Sequence, residues 1–342
     1  VRAVQALLGA FSCVLLGLTG WRIFSPAAGI LAGILLALYA PAIFFDGLIQ
    51  KSALDLFFLC LVLWLASGLD AEPAPYLRWW GLGLAMGALV LTRENALILV
   101  AGILFWLAVR FRNLGSRRLV LASLFLGGMA VLLLPVALRN QWVGGEFHLT
   151  TSQLGTNFFI GNHHGATGVY QPLRPGRGDA RYERLDTIAV AEEAAGRSLT
   201  PGEASAYFTR RSLEYIRSQP GDWLKLTARK FALAWNATEM LDTEDQYTYA
   251  SWSTPLRWTG RALHFGVLAP LALLGVFLTW NQRGRIWLLH LLLVLYMASV
   301  VMFYVVARYR FPLVPFLVLF AAAGLAGLPG FLRAGSRARV VG

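Results

Sequence analysis

The sequence predicts an all-α polytopic membrane protein, on three observations. Hydrophobic residues make up 57% of the 342 residues, and the mean hydropathy is +0.58. Charged residues make up only 14%, whereas a soluble domain carries about 25%. The third observation is that apolar runs of about the length of a membrane span recur along the whole chain. Together these features exclude an ordinary soluble protein and a disordered chain.

Nine apolar runs mark the helices that we expect. They cover residues 4–21, 26–45, 52–69, 79–92, 95–109, 119–138, 262–281, 286–306 and 311–331. The fourth and fifth runs are short and are separated by Thr92-Arg93-Glu94, which permits either two helices or one broken helix. The runs divide the chain into N-terminal transmembrane helices (1–139), a loop domain (140–261), and C-terminal transmembrane helices with a basic tail (262–342).

The net charge of +12, from 30 basic and 18 acidic residues, is typical of membrane topology rather than of nucleic-acid binding. Residues 139–261 hold 14 basic and 13 acidic residues, so the loop domain is nearly neutral. The excess of basic residues flanks the apolar runs, as the positive-inside rule predicts for cytoplasmic loops. We therefore expect the lipid bilayer as a partner and no nucleic acid.

Three clusters of arginines set the predicted orientation. The clusters are Arg110, Arg112, Arg117 and Arg118; Arg283 and Arg285; and Arg333, Arg337 and Arg339. Placing them in the cytoplasm puts Arg22 inside and the loop domain outside. The N-terminus then also lies outside, which predicts at least one further span upstream of Val1. We expect a multi-pass protein of the plasma (inner) membrane whose active face is extracytoplasmic.

Eight charged residues at the ends of the runs fall on the predicted outer face. They are Asp46, Lys51, Asp55, Arg93, Glu94, Arg139, Arg308 and Arg310. The basic members oppose the positive-inside bias, so one interpretation is a functional anion site. The alternative is internal ion pairing, and the i, i+4 spacing of Lys51 and Asp55 also permits a simple pair.

The loop domain carries a glycine-rich loop and two predicted helices. Glycines between 155 and 168 surround Asn162, His163 and His164. This pattern predicts either a structural turn or contacts to a polar ligand. A metal site is less favoured, because adjacent histidines chelate poorly. Thr200 and Glu203 form a capping-box pattern that predicts a helix to about Arg217. A second helix is expected from Pro220 to about Trp235, either lying on the membrane surface or packed in the domain core.

The sequence lacks the motifs of several classes of enzyme. The sequence has no phosphate-binding loop of the GxxxxGK[ST] type, no dinucleotide fingerprint, no serine nucleophile elbow and no HExxH pair. An enzyme whose active face is outside must receive an activated substrate from elsewhere. A lipid-linked phosphosugar meets this need, and arginine suits recognition of its phosphate.

Short motifs lie in a fixed order along nearly the whole chain. They are 2–9, 29–33, 39–41, Phe44-Phe45-Asp46-Gly47-Leu48 with Lys51, 91–97, 159–163 with 168–170, and Ala307-Arg308-Tyr309-Arg310-Phe311-Pro312-Leu313-Val314-Pro315. In these motifs the chain resembles the bacterial glycosyltransferase family 39, which is related to protein O-mannosyltransferases and aminoarabinose transferases. This resemblance implies a GT-C type helical transmembrane domain with a small extracytoplasmic, partly helical loop domain.

The resemblance further implies an inverting transfer of a sugar from a polyprenyl-phosphate-linked donor to a lipid, glycan or protein acceptor. In such enzymes an acidic residue of the first outer loop acts as base or orients the acceptor, often with a divalent metal such as Mg or Mn, and that loop is expected upstream of Val1. The site residues carried over are Asp46 and Glu94 for catalysis, Lys51, Arg93, Arg308 and Arg310 for the donor phosphate, and Asn162, His163 and Tyr309 for the cleft lining.

Two other functions fit a membrane protein of this composition. A transporter of an anionic lipid requires charges near mid-membrane and repeated halves, whereas the apolar centres here are nearly free of charge and no repeat is visible. A non-catalytic membrane assembly subunit would keep the fold without the chemistry. Alanine substitution at Arg93 or Arg308 would then leave any product unchanged.

Overall fold

The computed structural model describes residues 1–69, 75–241 and 244–340, without the side chains of 180 and 333–340. The side chains of Arg333, Arg337 and Arg339 of the predicted basic tail therefore lie outside the described residues. The described chain is helical and contains no β-strand in these ranges. The helices are α1 Arg2–Ile23, α2 Pro26–Leu38, α3 Ala40–Gly47, α4 Ser52–Ala66, α5 Tyr76–Thr92, α6 Leu97–Arg110, α7 Arg117–Gly144, α8 Leu154–Gly161, α9 Ala180–Ala195, α10 Pro201–Ser218, α11 Pro220–Ala234, α12 Gln246–Trp252, α13 Thr254–Ala262, α14 Phe265–Leu278, α15 Trp287–Met302, α16 Ala307–Arg310 and α17 Val314–Val340.

Every predicted apolar run contains a helix, which confirms the helical prediction, but one run is interrupted. The run 26–45 breaks between α2 and α3, and the two axes differ by 55°. Pro41, in the first turn of α3, has no N–H to continue the hydrogen-bond ladder of α2. The fourth and fifth runs form the separate helices α5 and α6, which a 3₁₀ turn at Glu94–Ala96 joins.

Three helical segments are long and apolar enough to cross a membrane: Arg2–Ile23, Arg117–Gly144 and Ala307–Leu332. The number rises to five if α2 with α3 and α13 with α14 each form one bent span. Two further apolar helices, α4 and α15, are shorter. Several helices of the described chain could therefore span a membrane, fewer by this measure than the nine runs in the sequence.

The chain forms two compact units. Unit 1 comprises Val1–Leu132, Gln246–Tyr296 and Phe311–Gly342, and unit 2 comprises Leu133–Asp245 and Met297–Arg310. In unit 1, α1 packs on α2 and α4, while α17 packs on α2 and α14. Gly29 faces the backbone of Gly17, and Gly275 faces the Phe320 carbonyl, so closely that a side chain at either position would clash. Small residues that bring helix backbones together are typical of membrane helices.

Unit 2 contains α8, α9, α10, α11 and α16. The predicted helix after Thr200 is confirmed: it begins at Pro201, with the reciprocal Thr200–Glu203 capping box formed. The predicted helix at Pro220 is also confirmed as α11. The segment 303–307 runs between two loops of this unit, because Val305 N donates to Gly168 O (2.8 Å) and Ala307 N donates to Met240 O (3.0 Å). These bonds fix the position of the Arg308–Arg310 sequence at the start of an apolar helix.

Candidate functional site

Asp46 lines a small cavity in unit 1, near the end of α3. A Cβ on Gly9 of α1 would overlap the Asp46 carboxylate, so the glycine leaves the space that this group occupies. The cavity has a volume of about 190 Å³ and its other walls are mainly apolar, with Leu36 and Leu56 among them. Asp46 Oδ1 is buried and has no hydrogen-bond partner among the described residues. Burying an unpartnered polar atom costs free energy, so each such atom in a folded protein requires an explanation, and a functional role is one.

Arg93 pairs with Asp55 inside unit 1. Asp55 is fully buried in the first turn of α4, and Arg93 is 3% exposed. Arg93 Nε donates to Asp55 Oδ2 at 3.0 Å, and Nη2 contacts the same oxygen. Asp55 Oδ1 is buried without a hydrogen-bond partner in the described part of the chain. For Arg93, these contacts favour internal ion pairing over the anion-site interpretation.

Lys51 and Glu94 flank this ion pair in the sequence. Lys51 precedes α4 and is exposed, whereas Glu94 opens the 3₁₀ turn after α5 and is half-buried. Asp55 therefore has Arg93 as its buried partner, rather than depending on the i, i+4 neighbour Lys51. Three of the site residues that the resemblance implies are therefore not enclosed in unit 1. Lys51 is exposed, and Asp46 and Glu94 are half-buried.

Arg310 is a buried charged residue of unit 2, at 1% exposure. Its guanidinium contacts the Glu239 carboxylate through Nε (3.2 Å) and Nη2 (2.5 Å). The remaining donors reach the carbonyl oxygens of Ala234, Asn236 and Thr238. A guanidinium has five N–H groups, and these five contacts match that number. Arg310 therefore holds the 234–239 segment in place, and its guanidinium is engaged by these contacts rather than open to the donor phosphate.

Arg308 and Tyr309 differ from Arg310 in being half-buried. The Arg308 guanidinium lies 5.7 Å from the centre of the Tyr309 ring, within the range of a cation–π contact. The hydroxyls of Tyr309 and Tyr304 are 3.1 Å apart, and Tyr304 Oη donates to Asn157 Oδ1 at 3.1 Å. This chain of polar groups orients the Tyr309 ring beneath Arg308. The arrangement presents one cation and one phenol at the start of the apolar segment Ala307–Leu332.

Asn162 belongs to the interior of unit 2. Its Nδ2 donates to Phe158 O (2.9 Å) and Met302 O (2.7 Å), while its Oδ1 accepts from Trp223 Nε1 and Lys230 Nζ, both at 3.0 Å. The side chain is fully buried, so its amide serves the fold and not a cleft lining. His163 is half-buried instead, stacks on Phe159 at 4.8 Å, and bonds the His164 carbonyl through Nδ1.

Lys230 is a buried cation that the sequence did not single out. Its Nζ donates to Gly161 O, Asn162 Oδ1 and Phe303 O, each at 3.0 Å. Burial lowers the pKa of Lys230 to about 8. The signal was present in the sequence, because Lys230 shares one helical face with Leu226 and Ala234, the other buried residues of α11. This buried face favours the core position for α11 over a helix held only by the membrane surface.

The described residues contain no group of three or more His, Cys, Asp or Glu side chains placed to hold a metal ion. Among the predicted site residues, Asp46 in unit 1 and the Arg308–Tyr309 pair in unit 2 are half-buried, unlike the enclosed Arg93, Asn162 and Arg310. Searches against protein-family models, curated proteins and solved structures found no match for this chain.

Proposed function

We propose that this chain is a multi-pass membrane glycosyltransferase of the GT-C type, similar to glycosyltransferase family 39. It would transfer a sugar, with inversion, from a polyprenyl-phosphate-linked donor to a lipid, glycan or protein acceptor outside the cytoplasm. The proposal rests on the sequence motifs and on the apolar helices, several of which could span a membrane. We propose Arg308 and Tyr309 as donor-binding residues.

The observation that carries the proposal is the position of Arg308. It is half-buried, oriented by Tyr309, and located at the first turn of an apolar segment of 26 residues. A polyprenyl phosphate has its chain in the bilayer and its phosphate at the boundary with water. A guanidinium at the end of an apolar helix matches that boundary and offers two parallel hydrogen bonds to a phosphate.

The proposed chemistry needs a carboxylate and a cation. The hydroxyl oxygen of the acceptor attacks the anomeric carbon, the bond from that carbon to the phosphate oxygen breaks, and the polyprenyl phosphate leaves with the bonding electrons. A carboxylate accepts the hydroxyl proton, and Asp46 and Glu94 are proposed for this role on the sequence resemblance alone. Arg308 stabilises the charge on the departing phosphate.

Binding of a polyprenyl phosphate to the purified chain in detergent tests the role of Arg308. The variant Arg308→Ala should weaken binding at least about ten-fold, since a hydrogen bond to a charged group contributes about 1.5–3 kcal/mol. Arg210→Ala is the matched control, because it removes the same charge from an exposed position of unit 2. Equal affinities of the two variants would contradict the proposed phosphate contact.

A non-catalytic membrane assembly subunit is the second candidate, and the internal pairing of Arg93 and Arg310 favours it. An anionic lipid transporter is a third. Formation of a glycosylated product in membranes supplied with polyprenyl-phosphate sugars distinguishes these functions. Transfer that is lost in Asp46→Asn and in Glu94→Gln supports the enzyme, whereas tight phosphate binding without any product supports one of the other two.

A further inference from the structure

Three arginines line one open cavity of unit 1. Arg22 lies in the last turn of α1, Arg78 in the first turn of α5, and Arg285 shortly before α15. The cavity has a volume of about 500 Å³, which is the size of a site for a small molecule or a lipid headgroup. The predicted orientation places all three arginines on the cytoplasmic side, away from the residues of the proposed transfer reaction. Its apolar wall includes Ile23, Leu63, Trp106, Leu288, Leu289 and Leu292.

Backbone carbonyls at the end of α4 hold two of the guanidinium groups. Arg78 Nε donates to Leu65 O at 2.8 Å, and its Nη2 donates to Trp64 O at 3.0 Å. Arg22 Nη1 lies 3.3 Å from Ser67 Oγ and 3.4 Å from the Trp64 carbonyl. Both guanidiniums also lie over the Trp64 ring, at 5.1 Å for Arg78 and 5.8 Å for Arg22. The two cations are therefore positioned by neutral groups.

The guanidinium of the third arginine contacts the backbone of the first: Arg285 Nη2 lies 3.3 Å from the Arg22 carbonyl oxygen. No carboxylate of the described residues forms an ion pair with any of the three arginines. Like charges that share a cavity repel each other, and an anion bound between them removes that cost. The cavity thus combines three oriented guanidiniums with an apolar wall.

We propose that this cavity binds an anionic phospholipid, with the phosphodiester between Arg22, Arg78 and Arg285 and the acyl chains along Leu289 and Leu292. Guanidinium groups recognise phosphate oxygens through paired, charge-assisted hydrogen bonds. Basic pockets between membrane helices on the cytoplasmic side are suited to the headgroups of anionic lipids. The inference needs an apolar helical unit in a membrane, but it does not depend on glycosyl transfer.

The test compares two arginines of one loop. The full chain, delipidated in detergent, is titrated with phosphatidylglycerol or phosphatidylcholine, and bound lipid is measured by native mass spectrometry. Arg285→Ala should weaken phosphatidylglycerol binding about five-fold, as expected for the loss of one charge near an anionic headgroup. Arg283→Ala, which removes an exposed charge outside the cavity lining, should bind like the parent chain. Equal binding by the two variants would overturn the proposal.

A second variant displaces a guanidinium without removing its charge. The Arg78 guanidinium lies directly over Gly68, where a Cβ would overlap it. Gly68→Ala should therefore push the guanidinium aside and weaken phosphatidylglycerol binding to the same extent as Arg78→Ala. Unchanged binding in Gly68→Ala would exclude Arg78 from the site.

Two further arms identify the anion. Complete displacement of the lipid by millimolar inorganic phosphate would show a site for free anions and overturn the lipid assignment. Asp70 and Glu72 lie in the segment 70–74, outside the described residues. The double variant Asp70→Asn/Glu72→Gln tests whether these carboxylates pair with the arginines. The proposal fails if this double variant binds phosphatidylglycerol more tightly than the parent chain and Arg285→Ala binds it like Arg283→Ala. The arginines would then serve an internal ion pair.

Discussion

The helix ends of unit 1 and the 303–310 segment of unit 2 each bury one arginine against one carboxylate, but the hydrogen bonds around the two pairs differ. Arg310 directs five contacts to Glu239 and three backbone carbonyls. Arg93 contacts one oxygen of Asp55, whose other oxygen is buried and without a partner in the described residues. Burial of a charge therefore does not by itself mark a functional group. The contrast indicates that Arg310 acts as a structural clamp, whereas the Asp55 carboxylate keeps one oxygen without a hydrogen bond in the described residues.

The largest expected effect is the loss of Arg310. Arg310→Met should lower the free energy of unfolding by about 3–5 kcal/mol, because it leaves the Glu239 charge buried and unpaired. Adding Glu239→Leu should recover only part of that loss, since the carbonyls of Ala234, Asn236 and Thr238 stay without their donors. Denaturant unfolding in detergent measures both variants. Full recovery in the double variant would show that the carbonyl contacts contribute nothing to stability.

The Asp55–Arg93 pair should respond differently to the same design. Asp55→Leu and Arg93→Leu should each cost about 3 kcal/mol, because each leaves a buried charge without its partner. The double variant should be close to the parent, because replacing a buried pair by apolar residues of similar volume is often neutral. A double-mutant cycle of the free energy of unfolding gives the coupling. If the two losses simply add, the pair does not interact in the way that the structure shows.

The sequence predicted the helices well and the roles of the charges less well. Apolar runs and the Thr200–Glu203 capping box are local signals, and the structure has a helix at each. The partners of Arg93 and Arg310 lie 38 and 71 positions away in the chain, so no spacing rule could show that both were internally paired. The same reason explains why Asn162, in a glycine-rich loop, was expected in a cleft and lies in the interior of unit 2.

The smallest of these effects concerns a third buried cation, Lys230, and its dependence on pH. Its pKa of about 8 in the folded chain lies below the ordinary value of 10.5, so the folded state releases the proton first. The cost of the buried charge is full below pH 8 and is relieved as the pH rises toward 10.5, which means that this group makes stability rise with pH. Between pH 7.5 and 9.5 the free energy of unfolding should increase by roughly 1–2 kcal/mol relative to Lys230→Met, which has no charge to lose. Parallel pH profiles of the parent and the variant would instead mean that the three acceptors around Nζ keep the ammonium charged. Lys230 would then resemble Arg310, whose charge is held by hydrogen bonds inside unit 2.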